Sequence, residues 1–441
     1  MAQNHAQPRE DKRADRRWLR LGVRWGILIV AVVFASQGLT PHATLSAPYA
    51  PTAVVAPWWQ DIHRSEWSAV LPSLSPYVAV LAAIARRGIA ATILLGLPVL
   101  ALGIFWMRGF CRYACPMGLL LEMAGKVNPA GMKLVRFPRL AKWVVLTTAV
   151  SALFGFPLFL WLDPLSMFLG LIGAVRWPLT TAMTVAVIPF LIVFVVSVIW
   201  PGSWCYRVCP LGYVQELVHA KRWFPNRQRS NTTVAVPAVV QSAHSPAILS
   251  RRSFLFGITG FVAGGVAFAT RKTIGAHSTV LRPPGAVSES LFQGLCIRCG
   301  NCVRACPSKI IQPDLGSSGV MGLITPKLRM GPGYCAEGCN ECGKVCPSGA
   351  IEKLLLTQKN RRVIGLACID RNRCWPWKGV RECDKCVTIC PSEAIDNFRK
   401  NPPMPVMLTE KCNGCGKCQI ICPAAAIVVK PLAKDEVKTR Q

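Results

Sequence analysis

CIRCGNCVRACP, residues 296–307, is the stretch that decides the architecture. It sets Cys296, Cys299, Cys302 and Cys306 in a C-x2-C-x2-C-x3-C-P run. Three later stretches repeat it. CAEGCNECGKVCP carries Cys335, Cys339, Cys342 and Cys346; CWPWKGVRECDKCVTICP carries Cys374, Cys383, Cys386 and Cys390; CNGCGKCQIICP carries Cys412, Cys415, Cys418 and Cys422. The last has the same spacing as the first, and the middle two lengthen only its first gap. The tails recur as well, as PSKII, PSGAI, PSEAI and PAAAI. Spacing and tail together, four times over, mark an internal repeat.

That spacing has a chemical reason. Three thiolates two residues apart wrap one face of an iron–sulfur cubane, and the fourth cysteine opens a helix and reaches a neighbouring cluster. Proline after it suits a first helical turn, where no amide donor is needed. Structural zinc sites instead separate two C-x2-C pairs by a dozen or more residues. The sixteen cysteines are therefore expected to hold four [4Fe–4S] clusters. Cys368 is the seventeenth cysteine of this region, in RRVIGLACIDRNRC. Alternation at Val363, Gly365 and Ala367 predicts a strand, with Cys368 a buried structural thiol. Ile369-Asp370 up to Cys374 resembles the I-D-x-x-x-C stretch that leads into the second motif of ferredoxins, which implies that Cys374 is the ligand. The same strand argues that the second and third motifs form one two-cluster unit, leaving the first and fourth for the other.

The first 270 residues read differently. Of the 441 residues, 52% are hydrophobic and only 16% charged, whereas soluble domains average about 25% charged. Apolar stretches near 22–39, 89–107, 142–161 and 181–200 approach the roughly 20 residues of a bilayer-crossing helix. With the N-terminus in the cytoplasm, 21 of the 25 Lys and Arg in residues 1–270 fall inside, and only Arg64, Arg86, Arg87 and Arg176 outside. This is a positive-inside pattern. It accounts for much of the net charge of +30. No aromatic-interleaved basic stripe accompanies that charge, which argues against nucleic-acid binding.

The expected fold is an α-helical membrane domain of four spans plus a fifth anchor or signal helix, followed by an α+β polyferredoxin domain built from two bacterial 2[4Fe–4S] ferredoxin-like units. The expected boundaries are a cytoplasmic segment 1–21, the four-span domain 22–222, a linker 223–249, a signal-like or fifth helix 250–270 and the polyferredoxin domain 286–430. Residues 40–77 read as an outside loop and 78–88 as an interfacial helix. Residues 250–270, SRRSFLFGITGFVAGGVAFAT, resemble a twin-arginine signal. The expected location is the bacterial cytoplasmic membrane, multi-pass, with the ferredoxin domain on the periplasmic side.

The apolar part holds a repeat of its own. CRYACPMGLLLE (111–122) and CYRVCPLGYVQE (205–216) share C-x3-C-P-x-G-x3-E at an offset of 94 residues. C-x3-C sets two thiols about one helical turn apart. Cys111, Cys115, Cys205 and Cys209 together would supply the four thiolates of one more [4Fe–4S] cluster; redox-active thiol pairs, disulfides and plain buried cysteines are the alternatives. Asp163, before Pro164, is a candidate proton acceptor or a helix-terminating turn.

The membrane part, with its two C-x3-C-P motifs, resembles the NapH, MauN and NosR type of membrane iron–sulfur protein. The C-terminal part resembles the NapG and MauM type of ferredoxin-like protein, which has a twin-arginine leader and four [4Fe–4S] motifs. The chain thus looks like a fusion of the two. The resemblance implies electron transfer from quinol to a periplasmic oxidoreductase or small electron carrier. The chain is then a quinol dehydrogenase component or an electron carrier, with membrane lipid and the quinone pool as further partners. A maturation factor for a periplasmic metalloenzyme, or a conduit from a cytoplasmic donor, are the rival functions. NapH-type proteins carry extra ferredoxin motifs, whereas residues 210–295 here contain no cysteine. The purified protein is expected to hold about 16 iron atoms on its sixteen C-terminal motif cysteines; an iron count near half of that, or stoichiometric zinc, contradicts four clusters.

Overall fold

Four of the helices open on proline, which loses no hydrogen bond at a first helical turn. They are Pro76–Arg86 (α1), Pro116–Val127 (α4), Pro164–Arg176 (α6) and Pro210–Val218 (α8). Between them run Thr92–Phe105 (α2), Gly109–Tyr113 (α3), Ala141–Leu153 (α5) and Thr181–Ile199 (α7). The structure is a computed structural model and describes residues 21–33, 35, 68–88, 92–127, 138–176, 181–219, 262, 280–400 and 403–432. The linker and, apart from Val262, the twin-arginine-like stretch lie outside the described residues.

The apolar stretches do not form the expected spans. Among the described residues, no helix is long and apolar enough to cross a membrane. The stretch near 89–107 gives a helix of 14 residues with Pro98 inside it, and the one near 142–161 gives 13 residues before the chain turns at Phe154. The longest helix among the described residues, α7, has 19 residues and carries Pro189 inside it. At 1.5 Å per residue such helices reach about 20–28 Å, short of the roughly 30 Å of a bilayer core. The four-span fold and the multi-pass membrane location are corrected accordingly. The chain forms a helical N-terminal region and a C-terminal region of short helices and small sheets.

The two regions share one core. On α1 the buried positions Tyr77, Val78, Leu81, Ala82 and Ala85 follow helical spacing. They pack in one cluster with Ala152 and Leu160 of the helical region and with Phe292, Leu295, Ile310 and Ile351 of the C-terminal region. The Tyr77 hydroxyl donates to the Phe159 carbonyl at 3.0 Å. The segment read as an interfacial helix is therefore an internal one, because its apolar face is covered by the C-terminal region.

Three two-stranded antiparallel sheets build the rest: Ile311–Pro313 (β1) with Pro326–Leu328 (β2), Leu366–Ile369 (β3) with Ile427–Lys430 (β6), and Ile395–Lys400 (β4) with Pro403–Met407 (β5). Strand β3 leads into the third cysteine motif and β6 leaves the fourth. Their register, Cys368 opposite Val428 and Ile369 opposite Ile427, binds those two motifs together. An isolated bridge, Ala286 to Ile351, likewise joins the approach to the first motif with the tail of the second.

Asp163 is buried at the head of α6. Its carboxylate accepts from Ser75 Oγ at 2.5 Å and from the Ser166 amide and hydroxyl at 3.0 Å each. This is an N-cap that also ties α6 to the start of α1. Burial pushes its carboxyl up despite those donors. Asp163→Ala is expected to cost about 1–3 kcal/mol in denaturant unfolding, since it strands buried donors. Because the folded carboxyl holds its proton more tightly than the unfolded one, its contribution is greatest at low pH and fades as pH rises through the raised value. Asp163→Asn should remove that slope while keeping part of the cap.

Candidate iron–sulfur sites

The sixteen motif cysteines converge in fours on four cavities. One cavity is walled by Cys296, Cys299, Cys302 and Cys346, and a second by Cys335, Cys339, Cys342 and Cys306. A third is walled by Cys374, Cys383, Cys386 and Cys422, and the fourth by Cys412, Cys415, Cys418 and Cys390. Each takes three thiols from one motif and the last thiol of another. The exchange pairs the first motif with the second and the third with the fourth. The expectation that the second and third motifs share a unit is thus corrected. Strand β3, which suggested it, pairs across to β6 beyond the fourth motif.

Local geometry explains the repeat. In three of the four motifs the tail after the fourth cysteine turns a backbone amide back onto its sulfur. Ile351 N donates to Cys346 Sγ at 3.4 Å, Ala394 N to Cys390 Sγ at 3.2 Å and Ala426 N to Cys422 Sγ at 3.3 Å. In the two unlengthened motifs, Gly300 (φ 74°) and Gly416 (φ 83°) turn the loop in a left-handed conformation before the short helices Asn301–Ala305 (α10) and Lys417–Ile421 (α15). In the third motif the eight residues between Cys374 and Cys383 fold as a helical turn, Trp375–Lys378 (α13), closed by Gly379. Cys374 therefore still reaches its cavity. Cys368 lies off the four cavity walls and is exposed, not buried. Its neighbour Ala367 faces a cavity, and successive residues of a strand point to opposite sides.

The donor set fits an iron–sulfur cubane. No imidazole or carboxylate lines any of the four cavities. Among the described residues, no three His, Cys, Asp or Glu side chains could hold a single metal ion. The thiols instead stand around a space larger than an ion. Burial, with neighbouring thiols adding to it, pushes Cys299, Cys386 and Cys418 up to about 12. A positively charged metal core is what offsets the cost of four buried thiolates.

The C-x3-C-P repeat is structural as well as sequential. Five backbone hydrogen bonds recur at the 94-residue offset. Cys115 N donates to Phe110 O at 2.9 Å and Cys209 N to Trp204 O at 2.8 Å; Arg112 N donates to Arg108 O at 2.9 Å and Tyr206 N to Gly202 O at 3.0 Å. Arg108 and Gly202 both take positive φ, 57° and 79°. The shared glycine is needed for close approach: a Cβ on Gly118 would stand 3.2 Å from the Cys111 carbonyl, and one on Gly212 3.3 Å from the Cys205 carbonyl. The shared glutamates each hold an arginine, Glu216 with Arg108 at 2.8 Å and Glu122 with Arg24.

Cys111, Cys115, Cys205 and Cys209 come together at this centre. Burial pushes all four thiols up, Cys111 to about 12, and each is raised further by others of the set or by a nearby carboxylate. The Arg108 guanidinium opposes this at Cys111 and Cys205. Gln215 Nε2 donates to Cys111 Sγ at 3.2 Å. Asp163 is among the charges felt by Cys115, whereas the four-span reading set it at the opposite membrane face. Sequence reasoning missed Arg24, Arg108 and Gln215. One signal for Gln215 was available: its counterpart in the first copy is the apolar Leu121.

A family model described as a 4Fe-4S dicluster domain matches residues 295–350, and one described as an LdpA Fe-S cluster-binding domain matches 380–431. A third, a 4Fe-4S binding domain, matches both copies of the helical repeat, at 88–138 and 182–230. The ferredoxin-type protein NapG of Escherichia coli is 35% identical over 138 residues, 30% of this chain and 59% of that protein. This chain thus spans little more than half the length of NapG. The methylamine utilization ferredoxin-type protein MauM of Methylophilus methylotrophus is 33% identical over 150 residues, 31% of this chain and 64% of that protein. No solved structure matches. MauM of Methylobacillus flagellatus is 32% identical over 200 residues, 43% of this chain and 81% of that protein, and by that coverage, together with the paired cysteine cavities, the chain belongs to the ferredoxin-type protein family that includes MauM.

Proposed function

We propose that the chain is an electron conduit with five iron–sulfur sites, four in the C-terminal region and one at the paired C-x3-C-P motifs. The observation that carries this is the convergence of sixteen cysteines, four by four, on four cavities, with the four C-x3-C-P cysteines gathered at a centre of their own. When bound, a [4Fe–4S] cluster supplies a one-electron relay. The chain's own residues hold the sites in register. The Cys335 amide donates to the Cys415 carbonyl at 2.8 Å, joining the two C-terminal units. Trp161 packs on the core that contains Cys115 and Cys209. Its ring also lies 5.3 Å from the guanidinium of Arg298, between Cys296 and Cys299. The helical centre and the first C-terminal cavity thus meet across one aromatic side chain.

In this reading the helical part acts as the NapH, MauN and NosR proteins' cysteine-bearing part does, and quinol is the electron source. An oxidoreductase or small electron carrier receives the electrons. Asp163, with its raised carboxyl, is the candidate proton acceptor.

Three outcomes are expected. Cys346→Ser should alter the cluster of Cys296, Cys299 and Cys302 and spare that of Cys335, Cys339 and Cys342, with Cys306→Ser doing the reverse; low-temperature electron paramagnetic resonance distinguishes them. Cys368→Ser should leave every signal intact. Cys111→Ser or Cys205→Ser should stop a quinol analogue from reducing the C-terminal clusters while dithionite still reduces them. Unchanged reduction by the quinol analogue in both variants refutes the conduit role of the helical part and favours a maturation factor.

A further inference from the structure

The four C-terminal cavities are not equivalent in what surrounds them. The cavity of Cys296, Cys299, Cys302 and Cys346 lies against the helical region. Asn301 Nδ2 donates to the Ser68 carbonyl at 3.0 Å, and Arg298 stacks on Trp161. The cavity of Cys335 reaches that of Cys415 through the backbone hydrogen bond already described. The cavity of Cys374, Cys383, Cys386 and Cys422 stands at the other end of this series. Its covering loop, 378–382, is exposed throughout.

That cavity carries the longest insertion, eight residues between Cys374 and Cys383 where the first and fourth motifs need two. Ligation does not require it. The insertion supplies the tryptophans of two arginine–tryptophan stacks. The Arg381 guanidinium lies 4.7 Å from the ring of Trp375, which itself lines the cavity, and that of Arg371 lies 4.4 Å from Trp377. Trp377 Nε1 donates to the Pro405 carbonyl at 3.0 Å, which fixes the second stack to β5. Arg371, Arg373, Lys378, Arg381 and Lys385 are all exposed here, against Asp370, Glu382 and Asp384, and Val380 projects among them at 65% exposure. Tryptophan and arginine held rigid around one exposed apolar residue have the composition of a protein-binding hot spot. The excess positive charge selects the partner's sign.

We infer that this rim is the docking face for an acidic redox protein. The inference rests on the conduit reading and adds the terminus and the class of partner. One electron passes between the docked protein and the group held by Cys374, Cys383, Cys386 and Cys422; whichever gives it up is oxidised and the other is reduced. The orientation is set by Arg371 and Arg381, held on their tryptophans.

The test uses the iron-loaded full chain and an acidic plant-type [2Fe–2S] ferredoxin as probe. Carbodiimide cross-links are expected to fall on Lys378 and Lys385. Arg371→Glu with Arg381→Glu should weaken binding at least tenfold at low salt, and the Arg371→Gln, Arg381→Gln pair should weaken it less. Lys353→Glu with Arg361→Glu, the same charge change at exposed residues away from the rim, should change it less than twofold. Equal loss in that control pair, cross-links scattered away from the rim, absence of salt-sensitive binding, or capture of RNA in place of the ferredoxin overturns the inference. Iron content and dithionite-reduced spectra are read on every variant. If they fail in the parent protein, the conduit reading falls; if they hold while docking fails, only the docking face does.

Discussion

Each motif lends its last cysteine to the cavity of its partner, and the C-terminal region depends on that exchange. Cys306 and Cys346 cross between the first two motifs, and Cys390 and Cys422 cross between the last two. Neither motif of a pair can complete a four-thiol site alone, so the two must fold against each other. The crossing also accounts for the tails. Having delivered its sulfur to the partner, the chain needs an amide to turn back onto it, and Ile351, Ala394 and Ala426 provide one. Because the secondary structure is sparse, with strands of three to six residues, the order of this region comes from ligation geometry more than from sheets.

The same economy joins the two halves of the chain. The C-terminal region supplies most of the residues of the core that the two halves share. It completes its core by borrowing the inner face of α1, from Tyr77 to Ala85. A polar tie accompanies that packing, from Asn301 to the Ser68 carbonyl. The position of the first cavity beside Trp161 follows from this shared core, since the loop between Cys296 and Cys299 is pressed against the helical region.

The helical centre shows what a duplicated motif keeps and what it lets diverge. Backbone turns, the close-approach glycines and the glutamate–arginine pairs recur in both copies. The arginines themselves do not come from equivalent positions: Arg24 precedes the first copy, and Arg108 belongs to the first copy but serves the second. Gln215 reaches Cys111 where its counterpart is Leu121. Four like thiols are thereby given unlike surroundings, with Arg108 pulling on Cys111 and Cys205 and Gln215 donating to Cys111 alone.

Much of this was legible in the amino-acid order. Ligand chemistry is local: two-residue gaps, a proline after the fourth cysteine and a recurring tail are backbone requirements that any stretch must carry within itself. The sixteen motif cysteines, the choice of Cys374 over Cys368 as the third motif's first member, and the 94-residue repeat could all be read for that reason. What depended on contacts between distant segments could not. Which motifs exchange cysteines was decided by the β3–β6 register and the Ala286–Ile351 bridge. Apolar runs measured by composition suggested spans, yet the helices they form are short, hold Pro98 and Pro189 inside them, or end before the turn at Phe154. The apolar face of 76–86 found its partner in the C-terminal core. Hydrophobicity along a chain says that a segment must be covered; only the tertiary structure decides what covers it.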